Sequence, residues 1–553
     1  MSSGEEIYRM VEEICSFGWR WAGTPEAERA ERYIYGKLKD AGLDEVELEE
    51  FTFTRWWPEK YGLTLLREGA ATWLPSEVEL NVFPVWFSGA TPPEGVTAEL
   101  VYAGFGTQAD FDEVDVDGKI ALIDGRMILN FYPTWEIFGS DRLAAERGAV
   151  GLVAINGSPL DSAAYLFYIQ GVEGWRERIP MLSISNDDGE LLRSLCKRGK
   201  VTVRLVEDAR EGEATSRTVI GVLHGESEET ILVGTHTDST FTGAIDNAGA
   251  NAGLIALARH YARVPKKDRG KTMVFAGWTG HEAAFLGVNK FVEMHEDLLS
   301  NVVTFIMLDG FASKGYYNQA EWGVVETGED EKRGLFVSEN PVLLPVVVEA
   351  ALKYGLTPSA YVPARRLPVS DLGPFIERNI PSIMVIGKPV WYHTKYDTVD
   401  RCTPEQLERA LKAHIHIIDA IHRIPGEEIK NADGKLERGD EIKVRREGEV
   451  KGGGGSLFFT VTPSLPVEGV PAIFHLTIFT TGGEVILDLA WDFGDGAEAR
   501  LPIGVHSYEK PGVYEVKATA KDTGGNVYVA KRKITVLPRK KGGAGLPSRG
   551  ETG

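Results

Sequence analysis

Between Thr218 and Ile424 apolar runs of strand length alternate with amphipathic helical stretches, and this alternation restricts the fold more than any other feature of the chain. ILVGTH leads to AGANAGLIALARHYA, KTMVFAGW to HEAAFLGVNKFVEMH, NVVTFIMLD to PVLLPVVVEAALKYG, and IPSIMVIG to TPEQLERALKAHIHIIDAIHRI. Parallel strands need long crossovers and are buried on both faces, so the pattern predicts an α/β domain with a mainly parallel sheet covered by helices. In such open sheets ligands bind in the crevice beyond the carboxyl ends of the strands. The residues at those ends therefore decide the chemistry.

The remaining chain flanks that domain. Glu5 to Gly42 reads as two helices separated by the turn RWAGTP, with Gly42 as a stop, and VELEEFTFTRW follows as a strand with one buried face. Residues 56–205 change to short β runs with one helix, SDRLAAERG, which predicts a β-rich insert because the helix-rich pattern resumes only after it. The expected layout is a split domain over 1–55 and 206–428 around that insert. A linker over 429–455, an all-β sandwich over 456–538 and a disordered tail over 539–553 follow.

A chain of 553 residues exceeds one core, and its net charge of −21 argues against nucleic acid or an anionic membrane as the main partner. Cys15, Cys196 and Cys402 lie far apart without a CxxC pair, which predicts free thiols in a reducing compartment. With neither a secretory signal nor a run of about 20 apolar residues, the expectation is a cytoplasmic protein with no membrane span.

His236, Asp246, Glu282, Asp309 and His393 stand at or just after the ends of the predicted strands. Singly each has a structural reading: Asp246 as a helix cap, Asp309 as a turn residue, His236 as a satisfied buried histidine. Jointly they make an imidazole and carboxylate set suited to zinc, cobalt or manganese, and three crowded carboxylates favour two divalent cations. Asp238 is placed to accept the ring N–H of His236. Tyr392 is a candidate for the pocket wall or an oxyanion contact, and Arg365–Arg366 for a substrate carboxylate. Asp397 and Asp400 are expected to cap the turn and the last helix, while His414, His416 and His422 read as structural.

THTDS, AIDNAGANAG, GHEAAFLG, IMLDG and WYHTKYDTVD resemble motifs of the co-catalytic zinc aminopeptidases and carboxypeptidases of clan MH, which include bacterial leucyl aminopeptidases and glutamate carboxypeptidase. SDLGPFIERNIPSIMV and RWAGTP resemble segments of the same family. VDGKIALIDG with AAERGAVGLVAIN resembles a protease-associated domain, and WDFGDG with HSYEKPGVYEVKATAKD resembles a PKD domain. The resemblance implies that His236, Asp246 and Asp309 hold one zinc and Asp246, Glu282 and His393 a second, with a cis peptide after Asp246. It implies hydrolysis of small peptides, most readily as an aminopeptidase, by water activated between the metals. The PKD-like module would bind a protein or surface rather than do chemistry.

In one respect the chain departs from the family. Where the third motif usually has Glu-Glu, the first Glu being the general base, this chain has His281–Glu282. An imidazole can take up and return a proton near neutral pH, so His281 is a candidate variant base. A non-catalytic metal-binding protein and a single-zinc enzyme similar to glutaminyl cyclase are the alternatives. The complete set of five ligands argues against both.

Overall fold

The computed structural model describes residues 1–66, 75–125, 127–128, 132–157, 160, 163, 179–319, 323–387, 390–437, 455–480 and 483–539. Eight strands build the sheet of the α/β domain: β1 (Glu45–Leu66), β2 (Val201–Leu223), β3 (Ser227–His236), β4 (Lys271–Trp278), β5 (Val302–Met307), β6 (Arg333–Val337), β7 (Ser359–Pro363) and β8 (Ser382–Ile386). Spatially β4, β3, β5 and β8 are parallel neighbours. On one flank β2 and then β1 join antiparallel; on the other β6 runs antiparallel to β8 and parallel to β7. The expected parallel sheet is thus the centre of a mixed one. VTFIM of β5 is buried throughout, as a strand covered on both faces requires.

Helices α1 (Gly4–Cys15), α2 (Pro25–Ala41), α3 (Gly249–Tyr261), α4 (Leu286–Met294), α5 (Leu343–Lys353) and α6 (Pro404–Arg423) cover the sheet. Thr24 caps α2 ahead of Pro25 at its first position, and Gly42 ends it in the left-handed region at φ 81°, as the sequence suggests. One apolar cluster joins α1, α3, α5 and α6 to one face; a second, around Trp278, Phe291, Phe305 and Phe375, packs α4 against the other.

The borders of the insert fall inside strands. β1 and β2 stay paired from Glu45↔Val222 to Leu66↔Thr202, with one irregularity between Pro58 and Lys60, so they pass straight through the expected junctions at 55/56 and 205/206. Trp19, Trp21, Trp56, Trp57, Phe83, Trp86 and Phe241 fill the angle between insert and α/β domain, with the Trp21 and Trp86 rings 3.9 Å apart. Trp86 is fully buried there. Trp86→Ala is expected to destabilise the protein by about 3–5 kcal/mol, the usual cost of emptying such a site, read as a lower denaturant midpoint.

The C-terminal sandwich packs strands Gly455–Thr462, Ala472–Thr480 and Ile503–His506 against Val485–Asp492, Gly512–Asp522 and Val527–Val536. Trp491, Phe474, Phe493 and Tyr508 fill its core. It is docked rather than merely linked. Its strand Val485–Asp492 pairs in parallel with β7 through Ser359↔Val485 and Ala360↔Ile486, Ile473 packs on Phe138 of the insert, and Arg539 pairs with Asp112 of the insert at 2.6 Å. A helix, Gly426–Ala432, occupies the start of the expected linker; residues 438–454 of that linker and 540–553 of the expected tail lie outside the described residues. All three cysteines are free. Among the described residues no helix is long and apolar enough to cross a membrane.

Candidate metal centre

β3 delivers His236 to the mouth of the sheet, where its Nε2 lies 3.3 Å from Asp246 Oδ1 and 3.8 Å from Asp309 Oδ1. His393 Nε2 lies 3.2 Å from Asp246 Oδ2 and 3.1 Å from Glu282 Oε2. All five residues are buried, and they form two triads that share Asp246, the donor atoms of each triad lying within 4.8 Å of one another. His236 Nε2 and both Glu282 carboxylate oxygens are buried without a hydrogen bond. Burying three carboxylates so close together costs several kcal/mol each unless cations neutralise them. The donor set therefore fits divalent metal, and its nitrogen and oxygen chemistry suits zinc, cobalt or manganese.

The surrounding groups fix the donors through long-range contacts. Asp246 is not a helix cap: it sits in non-helical backbone ahead of α3 and is joined to Asn247 by a cis peptide. Its own N–H and that of Ile245 donate to Asp397, at 3.1 and 2.9 Å. Asp397 thus holds the Asp246 loop instead of capping a turn, and α6 is capped by Thr403. Arg20, in the RWAGTP turn, donates to the carbonyls of Thr242 and Gly243 at 2.8 and 3.0 Å and fastens the same loop. Asn247 bonds to Leu308 O and Gly310 N, tying that loop to the one carrying Asp309, and Ser370 Oγ donates to Asp309 Oδ2 at 2.8 Å.

Asp238 meets the His236 ring as expected, but through its backbone. His236 Nδ1 meets the backbone carbonyl of Asp238 at 3.1 Å, with the carboxylate at 3.5 Å. The carboxylate accepts the N–H groups of His281 at 3.2 Å and Glu282 at 2.9 Å, so Asp238 fixes the histidine tautomer through its carbonyl and orders the third motif through its carboxylate. The helix expected from His281 onward begins only at Leu286, because Ala284 and Phe285 take φ of 61° and 60°. Gly287 permits this turn, since a Cβ there would stand 2.1 Å from the carbonyl oxygen of Thr279.

His281 stacks on His236, the ring centroids 4.0 Å apart and the planes at 12°. Its Nδ1 lies 3.0 Å from Asp371 Oδ1, and Asp371 Oδ2 accepts the indole N–H of Trp278 at 2.8 Å. Sequence reasoning gave Asp371 no role; the acid after Ser370 in SDLGPF was the available signal. Tyr392 stacks on His393 at 3.6 Å and is buried in one apolar cluster with Val85, Ala103 and Met181 of the insert. Arg366 pairs with Glu339 at 3.4 Å and Arg365 with Asp433 at 2.6 Å. These local carboxylates occupy the basic pair, which fastens the end of β7 instead of serving the metal centre.

Burial opposes charging of His236, but Asp238, Asp246 and Asp309 outweigh it and hold the ring well above its ordinary range. For His393 burial likewise opposes charging, while Glu282 and Asp246 raise it to about 9. A cation must displace those protons. Metal affinity is expected to fall about ten- to a hundredfold per pH unit between about pH 8 and 6, measured by competition with a chelating dye. In metal-free protein the raised His393 stabilises the fold fully below about 6.5, and that contribution is lost as pH rises through about 9. Its melting temperature should decline over that window, and saturating metal should remove the decline.

The family model described as Peptidase family M28 matches residues 218–418, the stretch that contains all five donors. That stretch is a peptidase family M28 domain. Models for the PA domain and the PKD domain match residues 96–192 and 462–536, within the insert and the sandwich. The chain is 24% identical to carboxypeptidase Q of Xenopus laevis over 407 residues, covering 70% of the chain and 80% of that relative. It is 26% identical to aminopeptidase YwaD of Bacillus subtilis (strain 168) over 411 residues, covering 71% and 79%. The fold is that of the zinc aminopeptidase BSAP of Bacillus subtilis, with a TM-score of 0.57 at 21% identity, covering 79% of this chain and 99% of that one. By family and by donor set the chain is a metallopeptidase.

Proposed function

We propose that the chain is a two-metal exopeptidase that removes residues from the amino end of short peptides, with zinc as its metal and His281 as its base. The observation that carries this reading is the pair of buried triads sharing Asp246, with the His281 ring stacked 4.0 Å from that of His236. Asp246 would be shared by the two sites, His236 and Asp309 would complete one, and Glu282 and His393 would complete the other. Divalent cations held there supply Lewis-acid polarisation of a scissile carbonyl and a more acidic water. His281 takes the proton of the attacking water and returns it to the leaving amine. Tyr392, packed against the insert, brings the roof of the cleft down beside His393 and limits substrate to chain ends.

Electrostatics favours an amino terminus over a carboxylate. Asp238, Asp371 and Asp397 surround the three ligand carboxylates, and the nearby Arg20 guanidinium is spent on backbone carbonyls. Two dications and Arg20 against these six acids leave an acidic balance that attracts an ammonium group. The deciding assay compares aminoacyl anilides with N-blocked peptides bearing a free carboxylate, each with zinc and with cobalt. Cleavage of the blocked series alone would exclude the aminopeptidase reading.

A further inference from the structure

A neutral imidazole has one donor and one acceptor nitrogen, and nothing in the ring itself decides which is which. At His281 that choice determines whether the residue can accept a proton. We propose that Asp371 is the positioning residue for His281, accepting its Nδ1–H and so leaving Nε2 as the ring's acceptor. The inference rests on the reading of His281 as base and deepens it.

The contacts leave Asp371 little freedom. It is fully buried, and a carboxylate has acceptors only. The Trp278 indole, which has only an N–H to offer, occupies Oδ2 at 2.8 Å, so Oδ1 faces His281 Nδ1 at 3.0 Å and the ring nitrogen is the donor. The ring is clamped by His236 stacked on it at 4.0 Å and by the edge contact of Phe285 at 4.9 Å and 87°. The residue before Asp371, Ser370, adopts φ 54° and donates to Asp309. One dipeptide therefore sets both a metal ligand and the orientation of the base.

Asp371→Asn tests the assignment without changing size. Because the Trp278 N–H needs an acceptor, the Asn carbonyl oxygen should remain on the indole and its NH2 should face His281 Nδ1. Nδ1 must then accept, which moves the ring proton to Nε2. Expected is a loss of about 10²–10⁴-fold in kcat, with KM within about threefold of wild type and metal content by mass spectrometry unchanged. Adding Trp278→Phe removes the competing donor and lets the Asn oxygen turn toward Nδ1, so kcat should recover by about tenfold or more over Asp371→Asn alone. A purely structural role would make the double variant worse. The proposal is overturned if Asp371→Asn keeps kcat within about threefold while His281→Ala is inactive, if Asp371→Asn loses metal, or if Trp278→Phe deepens the defect. Wild-type kcat in His281→Ala would instead remove the base reading itself, and this proposal with it.

Discussion

Asp246→Ala is expected to remove metal binding and hydrolysis together, with metal content falling below one per chain and kcat dropping on the order of 10⁴-fold or more. The reason is geometric: Asp246 is the one residue common to both triads, with Oδ1 directed at His236 and Oδ2 at His393. Asp309→Ala, by contrast, touches only the His236 triad and should leave the Glu282–His393 side able to hold metal. Elemental analysis of both variants, beside assay of the same aminoacyl substrate, separates shared from single ligation. A full metal complement in Asp246→Ala would sink the shared-ligand geometry. The protons provide a second readout. Without Asp246 both imidazoles lose an acidic neighbour, so metal uptake by what remains should release fewer protons than in the wild type.

His236, Asp246, Glu282, Asp309 and His393 were legible from sequence because a parallel sheet gathers its strand ends at one crevice, so order along the chain becomes proximity in space. The supporting acids were not. Asp371 reaches a histidine 90 residues away and Asp397 two backbone amides about 150 residues away, and such pairings depend on loop paths that periodicity does not encode. Asp238 shows the limit at short range: the spacing put it beside His236, but did not say that its carbonyl rather than its carboxylate would be the nearer acceptor. The helical pattern of HEAAFLGVNKFVEMH was genuine from Leu286 onward, and only the left-handed pair Ala284–Phe285 breaks it. Likewise the composition of the sandwich showed its strands, while its docking depends on β7 being left as an open edge, which no local pattern announces.

His281→Ala is expected to lower kcat about 10²–10⁴-fold while metal content stays that of the wild type, because Glu282 keeps its backbone hydrogen bond to Asp238 and none of the five ligands is altered. His281→Glu is the more discriminating variant. A carboxylate is a competent base, but at this position it would face Asp371, whose oxygen lies 3.0 Å from the present ring nitrogen. Two buried carboxylates that close cannot both stay ionised, and a shared proton occupies the very group meant to accept one. His281→Glu alone should therefore remain well below wild type, and pairing it with Asp371→Asn, which offers the new carboxylate an NH2 donor, should raise it. Rates above wild type in His281→Glu alone would mean that the imidazole is a lesion in a carboxylate-based site. Recovery only in the pair would mean that Asp371 and His281 form one unit, in which the acid is tuned to an imidazole and cannot tolerate a second carboxylate.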